Sequence, residues 1–287
     1  MIKVATKNLG IIGYPIGHTL SPVMQMAAIN AANLDYSYIA IPIQKGKLIF
    51  AVDGLRALNF RGWNVTIPLK TMITSLLDSL DTDAKMIGAV NTVVNDGGIL
   101  TGYNTDVIGF VKSLNEVDFM PNDCNAVVLG AGGAARSVIW GLCKRNANHI
   151  AVGVRNPEKY KSMIEDFKIF ESVEIFHWET EEFKTQMKHA DILINTTPLG
   201  MTPDIDEMPP VDISLLPEGA LVYDLIYSPA KTKFLAKAEE LGYPIINGMK
   251  MLLHQGMEAF RLFTGIEPDE KVMLKALEDA LKYEEGE

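Results

Sequence analysis

Short apolar runs and stretches of helical period alternate along almost the whole chain, which predicts α/β layers around a mostly parallel sheet. NLGIIGYP reads as a strand closing in a glycine–proline turn. Ser21-Pro22 then reads as a helix start, with serine as N-cap and proline at the first helical position. YSYIAIPI is β-rich, and GKLIFAVDGLRAL has helical spacing. GWNVTIP is a short strand, after which LKTMITSLLDSL again places apolar residues at helical spacing. AVNTVVND and ILTGYNTD flank a turn at Asp96-Gly97-Gly98 and read as a hairpin.

A second unit begins after VIGFVKSL, where the polar stretch NEVDFMPNDC leads into the strand NAVVLG, the turn AGGAA and the helix RSVIWGLCKRN. HIAVGVR, SVEIFHW, ADILINTT and ALVYDLIY follow as strand candidates with helical segments among them. That repetition suits a doubly wound nucleotide-binding domain of about 130 residues. MKMLLHQGMEAFRLFTG and DEKVMLKALEDALKYEE read as two closing helices.

The stretch Gly130-Ala131-Gly132-Gly133-Ala134-Ala135 fits G-x-G-x-x-A and sits between a buried-type strand and a helix. In that context the glycines allow a tight turn and close backbone approach, and the helix N-terminus offers free N–H groups to a pyrophosphate. About 20 residues further on, NAD-binding folds place a carboxylate for the adenosine ribose. Here VGVRNPEK puts Arg155 and Asn156 at that point, with no acid before Glu158. An arginine there suits charge-assisted hydrogen bonds to a 2′-phosphate, so the expected cofactor is NADP.

Two further ionisable residues stand at unusual places. Lys70 ends TIPLK and Asp106 ends TGYNTD, each between a strand-like and a helix-like stretch. A net charge of −10 gives no broad electrostatic reason to bind nucleic acid or an anionic membrane. No run approaches the roughly 20 apolar residues that span a bilayer, and the amino-terminal segment lacks the apolar core of a signal peptide. The expected location is the cytoplasm. Cys124 and Cys143 form no disulfide or metal pattern and read as buried thiols. The five histidines are scattered, so no metal site is expected.

The ordered motifs GYPIGHTLSP, GWNVTIPLK, IGAVNTVV, GYNTD, GAGGAAR, NTTPLGM and DLIYSP resemble the shikimate dehydrogenase family over essentially the whole chain. The resemblance implies an α/β fold of two domains. Residues 1–107, completed by the C-terminal helices of 246–287, would form the substrate domain. Residues 108–245 would form a Rossmann-type NADP domain. It also implies reversible oxidation of the shikimate hydroxyl to the ketone of 3-dehydroshikimate. By motif, Lys70 matches the family's catalytic lysine and Asp106 its aspartate partner. Thr19, Ser21, Asn64, Thr66, Asn91, Tyr227 and Gln255 fall on substrate-contacting positions. Leu225 and Gly248 fall where the family holds the nicotinamide end. The chemistry agrees: a polyhydroxylated carboxylate calls for many neutral hydrogen-bonding groups, and loss of a hydride from an alcohol requires a partner for the hydroxyl proton.

Two positions depart from the family's common pattern. HTLSP carries a threonine where a serine is usual, which adds a methyl to the expected substrate pocket. VRN keeps the arginine of the usual NRT phosphate clamp but not its neighbours. A quinate/shikimate dehydrogenase using NAD or NADP is the nearest rival. A non-catalytic sensor of shikimate-type metabolites would predict a damaged glycine loop or a lost Lys70 or Asp106, and all are intact. Oligomeric state is not set by the sequence, and a homodimer stays open.

Overall fold

The computed structural model describes residues 3–167, 170 and 172–285, and its first strand, β1 (Lys7–Gly13), is buried over its last five residues. Helix α1 (Ser21–Ala31), β2 (Tyr36–Pro42), α2 (Leu48–Ala57) and β3 (Gly62–Val65) follow. Strands β2 and β3 flank β1 on either side, and both run parallel to it. Next come β4 (Ser79–Leu80), α3 (Thr82–Ile87), β5 (Thr92–Asp96) and β6 (Ile99–Tyr103). They complete a mixed six-stranded sheet of order β2-β1-β3-β5-β6-β4. The expected hairpin is present: Asp96 pairs with Ile99, and Gly97 and Gly98 both have positive φ, as a tight two-residue hairpin turn demands. Trp63, Val65, Leu69, Ile73, Val90 and Leu100 pack into one core beside this sheet.

Two local expectations need correction. Ser21 is not the N-cap of α1; Leu20 holds that position, and no side chain caps the helix. The Ser21 hydroxyl is thereby left for tertiary contacts. LKTMITSLLDSL is not an α-helix either: it makes one 3-10 turn at Ile73–Leu76 and then the short strand β4. Leu77 is extended, and β4 runs parallel to β6, with Leu77 and Leu80 against Gly102. The apolar spacing is satisfied by the sheet edge rather than by a helix face. Asp81 then caps α3 by accepting from the Ala84 N–H.

Helix α4 (Asp106–Asn115) leads to β7 (Asn125–Leu129), α5 (Gly133–Lys144) and β8 (His149–Val154). After these come α6 (Lys161–Asp166), β9 (Val173–His177), α7 (Glu181–Met187) and β10 (Ile192–Asn195). The sequence continues with β11 (Leu221–Asp224), α8 (Lys233–Glu240) and β12 (Ile245–Ile246). These six strands form a second sheet, parallel throughout, in the order β12-β11-β10-β7-β8-β9. Counted from β7, that is the 3-2-1-4-5-6 order of the dinucleotide fold, with the order reversing between β7 and β10. All of β10 and β11 is buried, as expected of strands covered on both faces.

Helices α9 (Met249–Thr264) and α10 (Glu270–Glu285) close the chain, and α10 packs on α1. The α9 residue Phe263 lies so close to Gly62 of β3 that a Cβ there would sit 2.6 Å from its ring. The chain divides into two compact units, residues 1–109 with 252–287, and residues 110–251. Among the described residues no helix is long and apolar enough to cross a membrane. Nor does any group of three or more His, Cys, Asp or Glu stand where it could hold a metal ion.

Candidate active site

In the first unit Lys70 follows the turn after β3, and Asp106 is the first residue of α4. The turn is pinned by backbone bonds: Thr66 N–H to Ile12 C=O, Leu69 N–H to Thr66 C=O, and Val90 N–H to Lys70 C=O. Fully buried Leu69 anchors it in the core. The Lys70 ammonium donates to Asp106 Oδ2 at 2.6 Å, with side-chain exposures of only 15% and 7%. A carboxylate in the first turn of a helix is also favoured by the free N–H groups there.

The other oxygen of Asp106 is held as firmly. Asn91 Nδ2 donates to Asp106 Oδ1 at 2.8 Å and to Thr105 Oγ1 at 2.9 Å. Asn91 Oδ1 accepts from the Thr105 N–H at 2.8 Å and from Thr92 Oγ1 at 3.0 Å. Asn64 in turn donates to Thr92 Oγ1 and to the Asn91 carbonyl, and its Oδ1 accepts from the Tyr38 hydroxyl at 2.7 Å. Lys70, Asp106, Asn91 and Asn64 therefore share one buried hydrogen-bond network. Tyr38, Thr92 and Thr105 belong to it and were not among the residues singled out from the sequence.

The remaining residues of this unit stand outside that network. Thr19 is half-buried, and its hydroxyl accepts weakly from the Ser21 N–H at 3.4 Å. Thr66 packs its methyl against Gly13, where an added Cβ would sit 2.3 Å away. Gln255, half-buried on α9, donates to the Leu252 carbonyl. The carbonyl of the residue after Gln255, Gly256, accepts from Gln25 of α1.

The second unit carries a different kind of site. Gly130 has φ +104, and a Cβ there would come within 2.8 Å of Thr196 Oγ1, so only glycine fits this turn. Ala131 is buried, and Gly132 is exposed at the N-cap of α5, with open space where a side chain would be. Gly133 and Ala134 form the first turn of α5, a twelve-residue helix. Arg155 and Asn156 follow β8 and are exposed; among the described residues Arg155 makes no hydrogen bond or ion pair. Leu225 N–H donates to the Asn195 carbonyl, and Gly248 N–H to that of Ile226. A Cβ on Gly248 would lie 1.9 Å from the Leu225 carbonyl oxygen, so those two backbones touch. Tyr227 is half-buried in the same loop. A dinucleotide phosphate fits these residues: an open helix N-terminus reached through a side-chain-free turn, and an unpaired guanidinium at the end of the next strand.

Three family models match in chain order. They are the shikimate dehydrogenase substrate binding domain at residues 11–93, shikimate/quinate 5-dehydrogenase at 114–201, and the shikimate 5′-dehydrogenase C-terminal domain at 248–278. The shikimate dehydrogenase (NADP(+)) of Carboxydothermus hydrogenoformans is 45% identical, over 96% of this chain and 98% of its own. That of Methanothermobacter thermautotrophicus is 42% identical over 98% of both. A solved shikimate dehydrogenase in complex with NADP+ superposes with a TM-score of 0.90 at 39% identity, covering 98% of both chains. The chain belongs to the shikimate dehydrogenase family.

In this shikimate dehydrogenase family member, one buried carboxylate has no cationic partner among the described residues. Asp224 ends β11 with no solvent exposure. It accepts from Asn195 Nδ2 at 3.0 Å, the Ile226 N–H at 3.1 Å and Thr232 Oγ1 at 2.6 Å. Asn195 Oδ1 accepts from the Thr197 N–H and hydroxyl, and Thr232 caps α8. Asp224 so ties the loops after β10 and β11 to the start of α8. Its position inside the apolar run ALVYDLIY was the available signal, because an acid at the end of a fully buried strand needs internal donors. Burial pushes the Asp224 carboxyl up to about 6, against the pull of Thr232, the Ile226 N–H and Asn195. Cys124 and Cys143 are buried, and burial raises both thiols to about 12, which makes them poor nucleophiles.

The raised carboxyl has a consequence for stability. The unfolded chain releases this proton near 3.8, the ordinary aspartate value, while the folded chain keeps it until about 6. Its contribution to stability is full below the unfolded pKa and is lost as pH rises through the folded one. Urea unfolding of the wild type and Asp224→Asn should show the wild type losing about 3 kcal/mol relative to the variant between pH 3 and pH 7. A pH-independent difference would mean that Asp224 titrates as an ordinary carboxylate.

Proposed function

We propose that the chain catalyses the reversible, NADP-dependent reduction of 3-dehydroshikimate to shikimate, with substrate held by the first unit and cofactor by the second. The observation that carries this reading is the sheltered Lys70–Asp106 pair, whose aspartate is fixed by Asn91 on its far oxygen. The relatives named above are NADP-dependent shikimate dehydrogenases, which accords with it.

When bound, NADP supplies the two-electron chemistry, and the chain's own residues handle the proton. In the reductive direction the Lys70 ammonium gives one proton to the forming hydroxyl, and in the oxidative direction the neutral Lys70 amine takes that proton up to become the ammonium. Asp106 Oδ2 orients that amine, and Asn91 keeps Asp106 from turning. Thr19 and Ser21 supply hydroxyls for the substrate carboxylate. Thr66 and Gln255 add polar contacts to the ring hydroxyls. Asn64 and Asn91 serve first as scaffold, since their amide hydrogens are already engaged. Gly130, Ala131, Gly132, Gly133 and Ala134 admit the pyrophosphate at the start of α5. Arg155 and Asn156 would hold the 2′-phosphate, and the Leu225 and Gly248 backbones would border the nicotinamide.

Reduced-nicotinamide absorbance with shikimate or quinate, and with NADP or NAD, tests the assignment. Shikimate should exceed quinate by at least about tenfold in kcat/KM, because the quinate hydroxyl beside the carboxylate would meet the Thr19 methyl and go unpartnered. Comparable rates with both acids would make the quinate/shikimate reading the better one. Lys70→Ala should lower kcat by about 10²–10⁴, the range of a lost general acid–base group, with NADP affinity unchanged. A variant keeping more than about a tenth of wild-type kcat would remove Lys70 from the proton transfer. Arg155 should favour NADP over NAD by about 10- to 150-fold, and Arg155→Ala should erase most of that preference while sparing turnover with NAD. Equal kcat/KM for both cofactors in the wild type would show that Arg155 does not read the phosphate.

A further inference from the structure

Tyr38 lies on β2, an outer strand of the first sheet, yet its hydroxyl reaches across β1 to Asn64 on β3. We propose that Tyr38 is a positioning residue for the reaction, setting the direction of a buried hydrogen-bond chain that runs through Asn64, Thr92 and Asn91 and ends on Asp106. The proposal rests on the assignment of Lys70 and Asp106 as the acid–base pair.

The direction follows from which atoms donate. Asn64 Oδ1 only accepts, so the phenol must be the donor across 2.7 Å. That contact turns the Asn64 amide so that Nδ2 faces Thr92 Oγ1, 2.9 Å away. Thr92, having accepted, passes its own hydrogen to Asn91 Oδ1 at 3.0 Å. Asn91, whose Oδ1 also accepts from the Thr105 N–H, then presents Nδ2, not Oδ1, to Asp106 at 2.8 Å. The reversed amide would set an oxygen against the carboxylate and weaken its hold beside Lys70.

Tyr38, Asn64, Thr92, Asn91 and Asp106 are all buried, so bulk solvent does not readily make good a lost link. Burial also raises the Tyr38 pKa well above the ordinary phenol value, so this group stays a donor across the working pH range. A phenylalanine would fill the same space without any of this ordering, which makes the hydroxyl alone the object of the test.

Tyr38→Phe is compared with wild type by steady-state kinetics, varying shikimate and NADP separately. We expect kcat/KM for shikimate to fall by about 5- to 150-fold, the cost of leaving one buried acceptor unpaired, with KM for NADP within about twofold of wild type. Asn64→Ala should lose a similar factor, and the double variant little more than either single one, since Tyr38 acts through Asn64. Wild-type kinetics accompanied by a lower Tm would reduce Tyr38 to a structural role and overturn the proposal, as would equal losses toward both substrates. Hydrogen exchange of the Asn91 side-chain amide, followed by NMR, reads the same claim without turnover. Exchange should quicken by at least about tenfold in Tyr38→Phe if the chain orders that amide; unchanged exchange would overturn the proposal. A wild type that never oxidises shikimate would instead sink the assignment of function, and the exchange result would still decide the role of Tyr38.

Discussion

A lysine and an aspartate that meet at 2.6 Å, both largely shut off from water, are expensive to place, and much of the first unit answers that cost. A sheltered ion pair stands only if its remaining lone pairs and protons find partners. Asn91 occupies the second oxygen of Asp106, Thr105 and Thr92 occupy Asn91, and Asn64 ties Thr92 to Tyr38. The strand order serves the same end. Strands β1, β3, β5 and β6 set side by side the loops that carry Lys70, Asn91 and Asp106, and the backbone bond from Val90 N–H to Lys70 C=O closes the arrangement. Such a pair is weak evidence for stability and better evidence for chemistry, since hydrophobic residues of similar size would fill the place at less cost.

The second unit solves a different problem, which is bringing backbone close to a large anion. Gly130 and Gly248 stand where any side chain would collide with Thr196 or with the Leu225 carbonyl, and Gly132 leaves the start of α5 open. Rigidity around those openings comes from a carboxyl at Asp224 held by uncharged donors rather than from an ion pair. Three donors from three chain segments converge on it and hold the loops after β10 and β11 in register. Placed at the C-terminal ends of a parallel sheet, those loops lie where open α/β folds bind their ligands.

Features set by local period were legible from the amino acids: the apolar strands, the Gly97-Gly98 hairpin, the glycine loop and the two C-terminal helices. LKTMITSLLDSL misled because its apolar positions serve equally a 3-10 turn followed by a strand pairing with β6, and that pairing is tertiary. Ser21 was misplaced by one residue, since Pro22 marks a helix start only to within its first turn. Lys70 and Asp106 stood out by motif, but their contact joins residues 36 apart and could not be read from spacing. Tyr38 was harder still. It alternates within a strand like any core tyrosine, and its partner sits two strands away.

The central claim is that Lys70 and Asp106 work as one unit, and a double-mutant cycle on kcat addresses it directly. Lys70→Ala, Asp106→Ala and the double variant would be measured with shikimate and NADP at saturation. Residues acting as a unit lose together, so the double variant should fall no more than about threefold below the worse single one. If the two losses multiply in full, the lysine and the aspartate contribute independently, and the contact between them is not the acid–base centre.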